Sequence, residues 1–498
     1  MNTKCLVALA TAVTVSGALG AENDDDTRAA ALQNLAIENG TILSVTRDAS
    51  PTFTFPDGKT RDNVPPRTIV KLALRPGPGS DIRVEVCLPD AARWNGKFLG
   101  LGNGGAAGSI GAGFFLGPLT QGYAVACTDL GTTRGGTVSA DRSGIDHPDV
   151  WRDFGFRATH LMTVSGKLLV EKFYGRPPAF SYFNGSSTGG QQALALAQRH
   201  PADYDGILAG IPAHCRAPLH AYFVWNEQIL AKCPFTKEQM ETVAAAGVEH
   251  FGKHEPPALA GKIITAPGWT DADIDAVIAL ARAKDPTLTV THADALRQLF
   301  NGPRTPAGER VFNGIPPGAL LDGARGGGFY YLFRWVFGEK FDPLKFDFGA
   351  DLDTYTAALA PFLNAEHDDL REFKQRGGKL LMFSGAADAI VPWHATADYY
   401  DRAVERNGGL AATREFFRYY ILPGWQHGWS PVINRITPDF FRALVAWREQ
   451  GETPGAFHCQ RVIDNKVELD AVVDPYAPDP ARAGKERVAD RLRPPARE

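Results

Sequence analysis

The chain has 498 residues, 44% hydrophobic, 22% charged and 10% aromatic, a globular balance. That balance excludes disorder as the main state, and with it the collagen-like and small disulfide-scaffold classes. Fifty-two basic against 56 acidic residues leave −4, too weak a field to predict a nucleic-acid or anionic-membrane partner.

The N-terminus carries Lys4, an apolar run from Cys5 to Val15, and small Ala18 and Gly20 before acidic Glu22. This pattern predicts a signal peptide over 1–21, and so a secreted or periplasmic protein. No apolar run of 18 residues follows, so no membrane span is expected in the mature chain. The length predicts two to three domains, or one large domain with an insertion. Without Cys5, the cysteines left are Cys87, Cys127, Cys215, Cys233 and Cys459. The odd count leaves at least one thiol unpaired, with Cys215–Cys233 the first pairing expected and Cys87–Cys127 the second. His250 and His254 have the spacing of a ligand pair on one helix face, but Pro256-Pro257 breaks any helix there. No metal is expected.

From about Thr68 to Cys215, short β-rich runs alternate with helical patterns. Arg83 to Pro89, Lys97 to Gly100, Tyr123 to Thr128 and Phe180 to Asn184 read as strands, and residues 154–173 have helical spacing. Later strands are expected at Lys379 to Phe383 and Phe416 to Leu422, each followed by a helix. Such alternation predicts an α/β fold with a mostly parallel sheet covered on both faces. Between them, 217–346 is rich in proline and helical pieces (236–251, 270–284) and lacks strand alternation. It reads as an inserted, mainly helical lid. The boundaries expected are 22–216 for the first part of the core, 217–346 for the lid, 347–450 for the second part and 451–498 for a charged, loosely held tail.

The strongest chemical signal is Phe183-Asn184-Gly185-Ser186-Ser187-Thr188-Gly189-Gly190-Gln191-Gln192. Gly185-x-Ser187-x-Gly189 between a strand and a helix is a nucleophile elbow, whose turn is too tight for side chains at the glycines. It holds the Ser187 hydroxyl at a helix N-terminus, where the dipole favours negative charge. A base and an acid follow in chain order at two later strand ends: Asp388 after Phe383, and His427 after Leu422. His427 alone among the twelve histidines has this placement. His394 is expected in the next helix as a surface residue, and Asp398 and Asp401 as charges on a helix face. The chemistry implied is acyl transfer, with His427 taking the Ser187 proton and Asp388 fixing the imidazole tautomer. Oxyanion donors are expected from the Thr188 N–H and from Gly104 or Gly105 in the turn Gly100-Leu101-Gly102-Asn103-Gly104-Gly105.

That turn also matches a dinucleotide fingerprint, with Asp129 as the ribose-binding acid. The glycines and proline that follow (Gly108, Gly111, Gly113, Gly117, Pro118) deny it the helix such a site needs. No cofactor is expected. The alternatives kept open are a hydrolase for another bond (polyester, lactone or peptide) and a catalytically silent hydrolase-fold binding protein.

The chain resembles the tannase/feruloyl esterase family. The resemblance is carried by Trp94-Asn95-Gly96-Lys97-Phe98, Gly102-Asn103-Gly104-Gly105, Gly122-Tyr123-Ala124-Val125-Ala126-Cys127-Thr128-Asp129 and Asp153-Phe154-Gly155-Phe156-Arg157-Ala158-Thr159-His160. Ser187-Thr188-Gly189-Gly190, Pro201-Ala202-Asp203-Tyr204-Asp205-Gly206 and Gly385-Ala386-Ala387-Asp388-Ala389-Ile390-Val391-Pro392 complete it, in order over 65–450. It implies an α/β-hydrolase with a lid, acting on small-molecule esters of aromatic acids, with Ser187, Asp388 and His427 in the triad positions. Two departures stand out. The family's cysteine pair flanking the triad is replaced by Ser186 and Gly428, and the lid lacks the acidic, glycine-punctuated loop that binds calcium in the family. Calcium is therefore not expected. Phe329-Tyr330-Tyr331 reads either as lining of the acyl pocket or as plain lid core.

Overall fold

The computed structural model describes residues 24–132, 144–253, 259, 261–264, 268–324, 329–479 and 488–492. The expected signal peptide and His254 lie outside the described residues. Nine strands form the main sheet: β1 (Gly40–Asp48), β2 (Arg67–Leu74), β3 (Ile82–Pro89), β4 (Lys97–Leu101), β5 (Ala124–Thr128), β6 (Phe180–Ser186), β7 (Gly206–Gly210), β8 (Lys379–Gly385) and β9 (Phe417–Leu422). Their spatial order is β1-β2-β3-β5-β4-β6-β7-β8-β9. The pairings β1–β2, β2–β3 and β3–β5 are antiparallel; β5, β4, β6, β7, β8 and β9 run parallel to one another. Every residue of β5 and of β7 is buried. Their unbroken apolar sequences fit parallel strands covered by helices on both faces.

Helix α1 (Ala158–Tyr174) packs on β5 and ends at Gly175, whose φ of 74° is the left-handed cap glycine favours. Helix α2 (Thr188–Arg199) begins directly behind Ser187 and is buried along nearly its whole length. Between β7 and β8 the described chain is helical: α3 (Arg216–Lys232), α4 (Lys237–Gly252), α5 (Asp271–Lys284), α6 (Val290–Asn301), α7 (Tyr331–Phe337) and α8 (Ala350–Leu363). The capping boxes of Thr236 with Gln239 and of Thr270 with Asp273 start α4 and α5 where helical spacing begins in the sequence. Helix α9 (Trp393–Arg406) follows β8, and α10 (Phe440–Gln450) follows β9. No helix among the described residues is long and apolar enough to cross a membrane.

Three expectations need correction. Residues 457–473 of the expected loose tail are paired strands: β11 (Phe457–Ile463) pairs antiparallel with β12 (Lys466–Val473), and β10 (Arg435–Thr437) with β11, while 480–487 and 493–498 lie outside the described residues. The β12 charges Lys466, Glu468 and Asp470 mask an alternation that buries Leu469, Ala471 and Val473. Cys215 and Cys233 do not pair, for they bracket the 17-residue α3, a span of about 25 Å; Cys87 and Cys127 do not pair either, all five described cysteines being buried and in no disulfide. His394 is not a surface residue; it is buried, its ring stacked on Trp393 and edge-on to Trp269.

Candidate active site

Ser187 has φ 61° and ψ −116°, a conformation that costs a non-glycine residue of order 1–3 kcal/mol and persists only when surroundings enforce it. The enforcement is backbone packing. A Cβ on Gly185 would meet Gly189 carbonyl oxygen at 2.4 Å, and one on Gly102 would meet the Cα atoms of Gly189 and Gly185 at 2.6 and 2.9 Å. Three glycines from β6, from α2 and from the turn after β4 therefore touch each other; Gly185 and Gly102 have no room for a methyl, and one on Gly189 would press on Asn103 O and Gly102 Cα at 3.1 Å. Ser187 N–H donates to Gly210 O at 3.0 Å, Ala213 N–H to Ser187 O at 3.1 Å, and Gly189 N–H to Asn103 O at 2.7 Å. Gly102 is thus a packing residue of the elbow, which gives the glycine run of 100–105 a role unrelated to a dinucleotide.

The structure brings the three site residues into one row. His427 Nε2 lies 3.1 Å from Ser187 Oγ, and His427 Nδ1 lies 2.8 Å from Asp388 Oδ2. Asp388 is fully buried, and its Oδ1 accepts the N–H groups of Ile390 and Val391 at 2.8 and 2.9 Å. Those bonds leave Oδ2 aimed at the imidazole. The loops after β8 and β9 are stitched together: Ala386 N–H donates to Leu422 O and Ala387 N–H to Trp425 O, at 2.9 and 3.0 Å. Gly385 permits this, since a Cβ there would sit 2.2 Å from Trp425 O. Asp398 is, as expected, a charge on α9, 3.4 Å from Arg402.

Thr188 Oγ1 donates to Gly105 O at 2.6 Å, joining the turn after β4 to the start of α2. The N–H groups of Thr188, Gly104 and Gly105 make no hydrogen bond within the described residues. The turn is held from behind by Asn103, whose N–H donates to Gln192 Oε1 at 2.8 Å and whose Nδ2 donates to Thr128 O at 2.7 Å. Asp129 fixes the next turn: its Oδ1 accepts from Arg83 and Gly131 N–H, and its carbonyl accepts from Gly108 N–H. Burial raises its carboxyl to about 6, against the lowering effect of those N–H donors. Asn103 and Gln192 lie inside the patterns read from the sequence but carry no role there, and Arg216, a buried residue bonded to Thr188, lies outside them.

The segment between β7 and β8 reaches the site. Gly424, three residues before His427, donates its N–H to Ile264 O at 3.0 Å and leaves no space between its Cα and Ile263. Tyr331 is buried, whereas Phe329 and Tyr330 are half-buried, with Phe329 stacked on Phe223. Gly428 has φ 85°, a left-handed geometry that a side chain would strain. Among the described residues, one trio of candidate metal ligands lies together: His160, His200 and Asp203. The two imidazoles stack 3.8 Å apart and 10° from parallel, so their in-plane lone pairs run side by side instead of converging on one ion. Asp203 is bonded to His160 Nδ1 at 2.8 Å.

The sheet order, the elbow and the strand-end loops define an α/β-hydrolase. The chain belongs to the tannase and feruloyl esterase family, whose model matches residues 69–327 and 324–473, and it is a carboxylic ester hydrolase. It is 28% identical over 476 residues to an uncharacterized esterase of Xanthomonas campestris pv. campestris, covering 84% of this chain and 82% of that one. It is 29% identical over 422 residues to a probable feruloyl esterase of Arthroderma benhamiae, covering 76% and 75%. Its fold is similar to that of feruloyl esterase B from Aspergillus oryzae, with a TM-score of 0.79 at 21% identity over 92% of this chain and 96% of that one.

Proposed function

We propose that the chain is a secreted serine esterase acting on esters of aromatic acids, hydroxycinnamic, gallic or related, through Ser187, His427 and Asp388. The observation that carries this reading is the unbroken row from Ser187 Oγ through His427 to a fully buried Asp388. As Ser187 Oγ attacks the ester carbonyl carbon, its proton passes to His427 Nε2, and Asp388 holds the imidazole through Nδ1. The oxyanion so formed takes hydrogen bonds from Thr188 N–H and from Gly104 or Gly105 N–H. Collapse breaks the bond to the alcohol oxygen, which leaves with the proton from His427. Water, deprotonated by His427, then attacks the acyl-serine ester, releasing the acid and restoring the hydroxyl.

The aromatic acyl preference is supported by the kinship with proteins described as feruloyl esterases. The lid role of 217–346 is supported by Ile263 and Ile264 lying against the His427 loop. Secretion rests on the signal pattern of 1–21 and is checked by the mass of the mature N-terminus in an exporting host. The deciding experiment is turnover of a panel of ferulate, gallate, terephthalate and aliphatic esters by the wild type and by Ser187→Ala. The variant should lose roughly 10⁶-fold in kcat while keeping its melting temperature. Near-normal turnover by that variant refutes the nucleophile, and a preference for the aliphatic esters refutes the substrate class.

A further inference from the structure

Arg216 opens α3 with its side chain 1% exposed, which places a cation in the interior at the positive end of a helix dipole. A buried guanidinium ordinarily comes with a carboxylate. The other arginine buried to the same degree, Arg67, has Asp48, and Arg402 has Glu366, Asp368 and Asp398. Among the described residues no carboxylate lies within ion-pair distance of Arg216. Its Nη1 donates to Thr188 Oγ1 at 3.0 Å and to Gln191 Oε1 at 3.1 Å; its Nη2 donates to Tyr331 OH at 2.8 Å and to Gly105 O at 3.2 Å. All four acceptors are neutral. The ring of Phe154 lies 5.2 Å from the guanidinium carbon, and Nε has no partner.

The acceptors matter as much as the missing anion. Thr188 directly follows Ser187, Thr188 and Gly105 are two of the residues whose N–H groups make no hydrogen bond within the described residues, and the guanidinium fork grips both. With the Thr188 hydroxyl also bonded to Gly105 O, the three residues close a triangle that fixes the turn after β4 against the start of α2. A neutral ester entering this region gives the cation nothing to compensate it. The tetrahedral intermediate carries a full negative charge, and forms it beside the two residues the cation holds.

We infer that Arg216 is a positioning residue of the oxyanion hole, aligning Thr188 and Gly105 and supplying a buried positive charge that only the tetrahedral intermediate neutralises. The inference rests on Ser187 as nucleophile. Because the interaction strengthens between bound ester and transition state, its removal lowers kcat and leaves KM nearly unchanged.

The test compares Arg216→Met, which removes charge and fork, with Arg216→Lys, which keeps the charge alone, and with Thr188→Val, which keeps Arg216 and removes the hydroxyl it grips. Rates are taken per active site titrated. The Met variant should lose about 100-fold in kcat with KM within threefold, the Lys variant should recover about tenfold of that, and the Val variant should lose about tenfold. An arylboronic acid, whose boron bonds Ser187 Oγ to give an anionic tetrahedral adduct, should bind the Met variant weaker by the factor lost in kcat. The neutral amide analogue of the ester should bind it as it binds the wild type.

Equal weakening of boronate and amide, or a change in KM alone, overturns the inference. So does a kcat within twofold of wild type in either the Met or the Val variant. Where the Met variant does not fold, wild-type boronate affinity in both the Lys and Val variants assigns Arg216 to folding alone and likewise overturns it. Ser187→Ala separates the two claims: if it abolishes turnover while the Arg216 variants behave as wild type, only the present inference fails. If it keeps turnover, the nucleophile reading fails first.

Discussion

His427 with Asp388 and His214 with Glu366 are chemically the same pair, an imidazole bonded through Nδ1 to a buried carboxylate, and both stand near the elbow. Their surroundings differ. Asp388 takes two backbone N–H groups and no cation, so its charge is free to orient and stabilise an imidazolium. Glu366 also accepts from Arg402 at 2.9 Å, and Arg402 binds Asp368 and Asp398 in turn. His427 is 19% exposed and its Nε2 faces a hydroxyl; His214 is 2% exposed and its Nε2 has no partner among the described residues. The first pair is open to solvent and meets the Ser187 hydroxyl. The second is a brace, tying the loop after β7 to the turn after α8, where Ala365 N–H donates to His214 O at 2.9 Å. What separates the two is access and the company of the carboxylate.

Two substitutions can break this contrast. Asp388→Asn keeps the shape and should lower kcat by roughly 10⁴-fold through the wrong imidazole tautomer, with thermal stability close to wild type. A stability loss without a rate loss would make Asp388 a brace as well. Glu366→Gln should do the reverse: Arg402 keeps Asp368 and Asp398 but loses its buried anion, which should cost about 1–3 kcal/mol in chemical denaturation. Its kcat per folded molecule should stay within a few-fold. A rate loss of 10³-fold or more in fully folded protein would place the second pair in the chemistry.

Ser187, Asp388 and His427 were legible because each follows a β-rich run, and parallel strands deliver their C-terminal ends to one edge. The elbow's glycines were legible by pattern, but Gly102 was not, since its contact with Gly185 and Gly189 is made across strands far apart in sequence. The same holds for Arg216: an arginine between Cys215 and Ala217 has no local mark of burial or of a missing counter-charge. Cys215 and Cys233 look near along the chain, but α3 stretches the residues between them into a rod. In β12 the exposed charged face outweighed the buried Leu469, Ala471 and Val473 in the reading of composition.

Asp129 supplies a third case in which the company of a carboxylate decides its behaviour, with the smallest effect. It is buried like Asp388 and Glu366 but has neither imidazole nor bonded cation, only the N–H groups of Arg83 and Gly131. Burial outweighs those donors and raises its carboxyl from 3.8 to about 6. Between these values the folded protein keeps a proton that the unfolded chain has released. Stability contributed by the protonated group is therefore full below about pH 4 and is lost as pH rises through about 6. Two pH units of difference correspond to about 3 kcal/mol. In Asp129→Asn the amide oxygen still accepts the two N–H bonds without any charge to bury. Its stability relative to wild type should rise by up to about 3 kcal/mol between pH 4 and pH 7 in urea titrations. A stability difference independent of pH would mean that the N–H donors, not burial, set the proton affinity of this carboxyl.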